Sequence, residues 1–368
     1  MRISVPCEVA PREARVALAP DSVGRLVKSG VEVVVQRGAG LRAGFRDEAY
    51  AAVGAQLADD AATTLDGADA VAKVQPPTPD EIARIRQGAV VVSLMQPGRN
   101  ADLLAALAAR RISGLALELV PRITRAQSMD VLSSQSTVAG YKAVLLGASA
   151  LPKFLPMLTT AAGNISPAKV FVIGAGVAGL QAIATARRLG GVVSAFDVRP
   201  AAREQVLSLG AAFVQSDVVS ESAQAAGGYA RAQTEDEAAR TLATIAGHIK
   251  DMDLVITTAQ IPGRTAPRLV TAEMVQSMRA GAVIVDLAAE TGGNCELTRA
   301  GETVQAHDVT IIGPVNLPSS VPFHASQMFG RNLLTLFQHL IKDGALVIDP
   351  ADEITGAMLV THDGTVRS

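Results

Sequence analysis

The chain has 368 residues, more than a single hydrophobic core usually holds, so two domains are expected. Lysine plus arginine number 33 and aspartate plus glutamate 35, and this near balance excludes the basic face of a nucleic-acid-binding protein. The two cysteines, Cys7 and Cys295, are far apart and lack metal-type spacing, so neither a metal site nor a disulfide framework is expected, and a cytoplasmic compartment fits.

No stretch of the sequence has the length of a membrane span. The first residues lack the apolar core of a secretion signal, and the most apolar region, 139–158, is interrupted by two lysines and two prolines. Yet 49% of the residues are hydrophobic. Either the cores are rich in alanine and valine, or part of the surface is covered by other chains.

The first half of the chain alternates strand and helix patterns. Short glycine-bearing connections join them, and Asp21 or Ser22 is expected to cap the first helix. This alternation predicts a parallel sheet with helices on both faces. The strands are predicted at 3–6, 31–36, 68–74, 89–95 and 112–119, and the helices at 20–29, 47–53, 80–86 and 101–110.

Two basic side chains in this half are candidates for ligand binding. Arg15 follows the first strand, and Lys73 lies at the end of another. The loops at the carboxyl ends of parallel strands usually line a ligand crevice. A solvated position is the alternative for each side chain, and the residues alone leave both interpretations open.

The segment from Pro121 to Gly140 is polar but has few of the glycines and prolines of a flexible loop. Its density of hydrogen-bonding side chains favours a ligand-gripping loop between two domains. The alternative is a simple helix start, with Asp130 or Ser133 as the cap. A helix at 134–150 is predicted to follow.

Residues 169–199 read as strand, glycine turn, helix and strand, which is a βαβ unit. Gly174 permits a tight turn, Gly176 lets the backbone approach a pyrophosphate, and Gly179 allows close packing of helix on strand. Asp197 closes the second strand. A carboxylate there accepts from both ribose hydroxyls and repels a 2′-phosphate, so NAD(H) is favoured over NADP(H).

The rest of the chain continues the alternation. A polar excursion at 216–234 contains Gly228 and Tyr229 and is expected to be a lid. A long helix at 325–341 is expected to return to the first domain, and strands at 345–348 and 357–361 are predicted to form a terminal hairpin. The other elements are predicted as helices at 201–209, 235–249 and 272–278 and as strands at 212–214, 254–258, 283–287 and 309–312.

Together these elements predict an α/β protein of two Rossmann-like, doubly wound parallel-sheet domains with a cleft between them. The first domain is discontinuous and comprises residues 1–133 plus 319–368. The second domain, residues 134–318, is expected to bind the dinucleotide.

Several stretches resemble those of one family over essentially the whole chain. They are Arg122-Ile-Thr-Arg-Ala-Gln-Ser-Met-Asp-Val-Leu-Ser133, the glycine motif, Ala-Gly-Gly-Tyr229, Ile-Thr-Thr-Ala259 and Val-Asp286-Leu-Ala-Ala-Glu-Thr-Gly-Gly-Asn-Cys295. The sequence closely resembles the NAD(H)-binding component (alpha subunit, domain I) of proton-translocating NAD(P) transhydrogenase.

The resemblance implies particular site residues. Arg122, Gln127, Asp130 and Ser133 would hold the nicotinamide end, and Tyr229 would be the tip of a mobile loop. The family pattern predicts an apolar residue where this chain has Gln260, so the cofactor contact implied at this position departs from that pattern. The implied cofactor-binding residues are Gly174, Ala175, Gly176, Val177, Gly179, Asp197, Val198, Arg199, Gly228, Tyr229, Ala259 and Gln260.

The resemblance also implies a setting. The chain would be a homodimer on the cytoplasmic side, peripheral to the inner (plasma) membrane through membrane-spanning transhydrogenase subunits. NADP(H) would be bound by a domain of the beta subunit. Hydride transfer between two nicotinamides needs no general acid or base, which agrees with a site without an evident nucleophile.

Two alternatives are weighed against this function. Alanine dehydrogenases are similar at Arg15 and Lys73, which there bind the substrate carboxylate and carbonyl. They carry a catalytic histidine where this chain reads Ser93-Leu-Met-Gln96 and an aspartate at Glu290, whereas all five histidines here lie at or after His248. The other alternative is an NAD-sensing regulatory protein without turnover, which would not need residues 122–133.

Overall fold

The computed structural model describes residues 1–216, 233–260 and 264–367. The chain divides into two compact units: unit 1 comprises Met1–Gln135 with Pro318–Ser368, and unit 2 comprises Ser136–Leu317. Gly228 and Tyr229, and with them most of the expected lid, lie outside the described residues.

The described strands are short and mostly buried. In chain order they are β1 (Arg2–Val5), β2 (Glu32–Gln36), β3 (Gln56–Ala58), β4 (Ala70–Ala72), β5 (Val90–Ser93), β6 (Ser113–Ala116), β7 (Leu158–Thr160), β8 (Gly163–Ile165), β9 (Lys169–Ile173), β10 (Val192–Phe196), β11 (Ala212–Phe213), β12 (Leu254–Thr257), β13 (Val283–Asp286), β14 (Thr303–Ala306), β15 (Val309–Ile312), β16 (Ile341–Lys342), β17 (Ala345–Leu346), β18 (Leu359–His362) and β19 (Thr365–Val366).

The described α-helices alternate with these strands, and several short 3₁₀ turns lie between them. The helices are α1 (Pro20–Lys28), α2 (Asp47–Ala52), α3 (Ala61–Leu65), α4 (Pro79–Arg84), α5 (Ala101–Ala109), α6 (Val131–Ala150), α7 (Val177–Arg188), α8 (Pro200–Ser208), α9 (Glu235–Ile249), α10 (Ala272–Ser277), α11 (Pro322–Leu340) and α12 (Glu353–Met358).

Unit 1 is built on a sheet of order β19-β18-β6-β5-β4-β1-β2-β3. Strands β1 to β6 pair in parallel, whereas β18 pairs antiparallel with both β6 and β19. All four residues of β5, Val90–Ser93, are buried because helices cover both faces of a parallel sheet. The expected parallel α/β architecture is confirmed for this unit.

The long helix α11 packs into the core of unit 1, as predicted. It buries Phe329, Leu333, Leu336 and Phe337 in helical period. The helix begins at Pro322, three residues before the predicted start, because proline is well suited to the first helical turn.

Unit 2 holds a second sheet of order β11-β10-β9-β12-β13-β15-β14. The chain runs outward from β9 to β10 and β11, then returns to pair β12 with the other side of β9. All strand pairs of this seven-stranded sheet are parallel except the one between β14 and β15. The carboxyl ends of β9 and β12 therefore flank a topological switch point, where α/β sheets bind ligands.

Two predictions about local structure are wrong. Helix α1 starts at Pro20 with Ala19 as the N-cap, so neither Asp21 nor Ser22 is the cap. The predicted terminal hairpin is also absent from the described residues: β17 pairs with β16, and β18 pairs with β6 and β19. Helix α12 lies between them because Asp352 accepts hydrogen bonds from the amides of Ile354 and Thr355 and so caps it.

Among the described residues, no helix combines the length and the apolar character that crossing a bilayer requires.

Candidate functional site

The glycine turn of unit 2 has the geometry expected for a nucleotide-binding loop. Gly174 follows β9 with φ of +96°, a left-handed conformation that favours glycine. A Cβ on Gly179 would lie 1.9 Å from the carbonyl oxygen of Gly174, so only glycine lets α7 approach the turn. A Cβ on Gly176 would instead have Nη2 of Arg199, 4.0 Å away, as its nearest neighbour. Gly176 therefore leaves room beside the backbone.

Helix α7 begins at this open position. Val177 is its first residue and is 41% exposed, and among the described residues no side chain caps the helix at Gly176. The first backbone hydrogen bond of the helix runs from Leu180 to Gly176, at 2.8 Å. The amides of the first turn precede this bond and provide N–H donors at the positive end of the helix dipole. This combination suits a pyrophosphate.

Asp197 lies just beyond β10 and is 6% exposed. Its Oδ2 accepts a hydrogen bond of 2.7 Å from the amide of the buried Ala175, which ties the carboxylate to the glycine turn. Arg199 donates to both carboxylate oxygens, from Nε at 2.9 Å and from Nη2 at 2.7 Å. The hydrogen bond with Asp197 raises the pKa of Arg199. Val198, between them, packs against the buried side chains of this unit.

The strand next to β9 contributes a wall to the turn. Thr258, just after β12, donates from Oγ1 to the carbonyl oxygen of Gly174 at 3.0 Å. The amide of Ala259 would lie 3.2 Å from a Cβ on Gly174. Both backbone groups of Ala259 are bonded by the side chain of Asn294, which follows β13.

Gln260 and Glu290 lie near the same strand ends. Gln260 is exposed, and its Nε2 donates to the carbonyl oxygen of Leu287 at 3.0 Å. This bond gives the polar side chain a partner at a position where an apolar residue was expected. Glu290 is also exposed, and its Oε1 accepts from the amide of Asn316 at 2.8 Å.

Residues 122–133 belong to unit 1, and they include both buried and exposed side chains. Ala126 and Met129 are buried in the core of this unit, whereas Arg122 and Gln127 are exposed. Nδ2 of Asn332, on α11, donates to the carbonyl oxygen of Ser128 at 2.8 Å and so fixes the segment. Gln127 is thus presented outward by an anchored backbone.

Asp130 caps helix α6. Its Oδ1 accepts from the amide of Ser133 at 2.9 Å and its Oδ2 from the Ser133 hydroxyl at 2.6 Å. This is the local capping role that the sequence left open, and the two residues of the predicted nicotinamide set are bonded to each other.

Arg15 is buried in unit 1 and is not solvated. Its Nε and Nη2 donate to the two carboxylate oxygens of Glu13 at 2.8 and 2.7 Å, and its Nη1 donates to Gln135 at 2.8 Å. Burial raises the pKa of Glu13, but the hydrogen bonds and charge of Arg15 outweigh it, and the pKa falls to about 2. A substrate carboxylate at Arg15 would have to displace Glu13.

Lys73 is likewise buried, with 1% exposure, between two carboxylates. Its Nζ lies 2.8 Å from Glu81 and 3.6 Å from Glu8. Burial raises the pKa of Glu8 despite the lysine. The solvated alternatives for Lys73 and Arg15 are therefore wrong, because each residue has carboxylate partners inside the unit.

The end of β5 differs from a catalytic site built on histidine. The amide of Met95 donates to Oε1 of Glu118 at 2.9 Å, and the amide of Gln96 donates to the same oxygen. Burial raises the pKa of Glu118, while these backbone bonds act against the increase. Glu118 thus fixes the backbone at the carboxyl end of β5, a role that the sequence pattern does not predict.

Known proteins are similar to this chain in sequence and in fold. The family models of alanine dehydrogenase/PNT match nearly the whole chain, with the N-terminal domain over residues 4–139 and the C-terminal domain over 143–368. The chain belongs to this family.

Within the family the chain is more similar to transhydrogenases than to alanine dehydrogenases. It is 47% identical over its full length to the first portion of the NAD(P) transhydrogenase alpha subunit of Rhodospirillum rubrum, covering 97% of that protein. Among solved structures, a transhydrogenase from Sinorhizobium meliloti superposes with a TM-score of 0.91 at 45% identity, covering 100% of both chains. An L-alanine dehydrogenase gives 0.83 at 27% identity, covering 100% of this chain and 96% of that one. The predicted family and the Rossmann-like α/β fold are thereby confirmed.

Proposed function

We propose that this chain is the NAD(H)-binding subunit of a proton-translocating transhydrogenase. In the proposed reaction a hydride passes directly between NADH on this chain and NADP⁺ held by a partner domain. The observation that carries the proposal is the buried Asp197, bonded to the glycine turn at the switch point of unit 2.

The residues of unit 2 fit a dinucleotide. Asp197 would accept from the ribose hydroxyls of the adenosine, and its charge disfavours a 2′-phosphate. The open space at Gly176 and the amides of the first turn of α7 would hold the pyrophosphate. Ala175, Val177, Val198, Arg199, Ala259 and Gln260 complete the proposed cofactor set, with Gly228 and Tyr229 added from the sequence.

The bound dihydronicotinamide supplies the hydride, so the chain has to supply position rather than a proton. Arg122, Gln127, Asp130 and Ser133 are the residues we assign to the nicotinamide end. Near-attack contact requires about 3–3.5 Å between the reacting carbons, with water kept away. Amide, guanidinium, hydroxyl and carboxylate groups would position the ring by hydrogen bonding, and none of them would have to act as a nucleophile.

The proposal includes partners. NADP(H) would be bound by a domain of the transhydrogenase beta subunit, and membrane-spanning subunits would couple the transfer to proton movement. This chain would be a homodimer lying peripheral to the inner membrane, on its cytoplasmic side. The R. rubrum relative, whose name makes it one portion of a divided alpha subunit, supports such an association.

Amino acid dehydrogenation is less well supported. The guanidinium of Arg15 is already paired with Glu13, and the ammonium group of Lys73 with Glu81. The strand end after β5 carries Gln96, whose side chain cannot shuttle a proton as histidine does. A pure NAD sensor would not account for the anchored segment that presents Gln127.

The proposal is tested by turnover. The purified chain is mixed with NADH, an NADP analogue and the NADP(H)-binding domain of a transhydrogenase beta subunit, and reduction of the analogue is followed. Transfer should require both proteins, and the chain alone should not reduce pyruvate with ammonia. Alanine dehydrogenase activity of the chain alone would overturn the proposal, and tight NADH binding without transfer would favour the sensor.

A further inference from the structure

We infer that Asn294 is a positioning residue of the nucleotide site, acting through the backbone of Ala259. The inference rests on the proposed NAD(H)-binding function and assigns a role to a residue that is not in the proposed cofactor set.

Asn294 is completely buried, and its side chain is fully engaged. Its Oδ1 accepts from the amide of Ala259 at 3.0 Å, and its Nδ2 donates to the carbonyl oxygens of Ala259 at 2.9 Å and Pro267 at 2.8 Å. One amide group therefore holds both polar groups of the Ala259 residue, which fixes the position and the rotation of its backbone. Asparagine suits this task because it carries an acceptor and two donors on one rigid group.

The bonds of Asn294 connect three neighbouring strand ends. Asn294 follows β13, Ala259 follows β12, and the amide of Ala259 lies against Gly174, which follows β9. Gly174 is also held by the hydroxyl of Thr258. Because the Gly174 turn leads into the amides of α7, a shift of Ala259 would move the wall of the proposed pyrophosphate site.

The backbone next to Asn294 is held in place by a buried carboxylate. Asp286, which is 0% exposed, accepts from the amide of Cys295 at 3.0 Å and from the hydroxyls of Thr257 and Thr298, each at 2.8 Å. The backbone carbonyl of Asn294 accepts in addition from the amides of Leu269 and Val270. The side chain of Asn294 therefore acts from a fixed backbone.

A positioning role and a purely structural role predict different binding. Asn294→Ala should weaken NADH binding at least about tenfold, as measured by calorimetry below the unfolding temperature. The matched control is Asp253→Asn at the opposite end of β12. Asp253 is also buried and accepts from Lys153 Nζ and from the amide of Lys169, both at 2.8 Å. The control should lower the unfolding temperature and leave NADH affinity within about twofold.

Asn294→Asp serves as a second variant if the alanine variant does not fold. It keeps an acceptor for the amide of Ala259 but places an oxygen against the carbonyls of Ala259 and Pro267, so it should also weaken binding. Wild-type affinity in a folded Asn294 variant would overturn the inference, as would an equal loss in Asp253→Asn. Failure of the wild-type chain to bind NADH would instead overturn the proposed function.

Discussion

The carboxylate of Asp197 carries much of the proposed cofactor choice because it is buried and already surrounded by donors. Hydrogen bonds reach it from the amide of Ala175 and from both the amide and the guanidinium of Arg199. The two ribose hydroxyls would donate to this carboxylate in addition to these groups or in place of some of them. The carboxylate of Asp197 is held in place before any ligand binds.

Asp197→Asn should therefore weaken NADH binding about ten- to a hundredfold, the value of a charge-assisted hydrogen-bond pair of about 1.5–3 kcal/mol. Calorimetry with NADH measures the loss. Asp236→Asn is the control, because Asp236 also pairs with an arginine, Arg240 at 2.7 Å, but on the exposed surface of α9. Equal affinity of the wild-type chain for NADH and NADPH would contradict the assignment.

The pair of Glu13 and Arg15 predicts a pH dependence of stability. The folded-state pKa of Glu13 is lowered from 4.5 to about 2, so its contribution is fully present above pH 4.5 and is lost as the pH falls towards 2. The contribution is roughly 3 kcal/mol of unfolding free energy. Removing the carboxylate also deletes the ion pair between Glu13 and the buried guanidinium of Arg15.

Glu13→Gln should accordingly lower the thermal unfolding temperature near pH 7, and the gap to the wild-type chain should narrow below about pH 4.5. Thermal melts at a series of pH values measure both effects. Glu302→Gln, in the exposed ion pair with Arg299, should leave the unfolding temperature nearly unchanged at every pH. A gap that stays constant on acidification would refute the argument.

Helix α6 lies so close to the start of α7 that no side chain fits between them. A Cβ on Gly140 would lie 2.1 Å from the carbonyl oxygen of Ala178, and one on Gly147 would lie 2.4 Å from Leu254, in β12. These glycines cost helix propensity but let α6 touch both the first turn of α7 and the central strand of unit 2. The position of the α7 amides that are proposed to bind the pyrophosphate thus depends on the neighbouring helix α6.

Gly140→Ala should therefore destabilise unit 2 by about 1–3 kcal/mol through overpacking and should weaken NADH binding by displacing the first turn of α7. Gly247→Ala is the matched control, since Gly247 lies inside α9 and a Cβ there meets no atom within 4 Å. The control should be neutral or stabilising by up to about 1 kcal/mol. Unfolding curves and NADH titrations of both variants decide the matter, and equal behaviour of the two would refute the packing argument.

Long periodic elements could be predicted from the sequence, whereas several of the shorter ones could not. Helix α9 was predicted with its observed bounds because a capping residue and helical periodicity agree there. Strand β3, helix α3 and the hairpin of β7 and β8 were not predicted. Such elements have too few residues for a period to be recognised, and their pairing partners decide them.

In the proposed site, too, some features could be predicted from the sequence and others could not. The glycine turn and Asp197 could be predicted because their spacing follows from one local βαβ unit. The burial of Lys73 could not, since its partners, Glu8 and Glu81, come from different elements. Asn294 lies in a recognised stretch, but its role depends on Ala259, 35 residues away.

At the scale of the whole assembly, a change in the segment that presents Gln127 should affect hydride transfer more than NADH binding. Gln127→Asn shortens an exposed side chain by one methylene on a backbone held by Ala126 and Met129. It should slow hydride transfer to the partner-bound NADP analogue far more than it weakens NADH binding, because a displacement of about 1 Å can cost on the order of a hundredfold.

Single-turnover transfer rates and NADH dissociation constants measure the two effects separately. Gln305→Asn, on β14, is the control because that exposed amide bonds only to Thr310 among the hydrogen bonds described for it. If Gln127→Asn changes transfer and binding equally, the residue does not orient the ring.

The divided sequence of unit 1 has a consequence for biosynthesis. The amide of Gly114 bonds the hydroxyl of Thr361, 247 positions later, and α11 fills the core beneath the early strands. A ribosome therefore delivers all of unit 2 before the elements that complete unit 1. We expect the first 135 residues to stay incompletely folded, with apolar surface exposed, while the intervening unit acquires its structure. Chaperones should therefore recognise the amino-terminal region of the nascent chain, and its protection from protease should arise only when the last strands emerge.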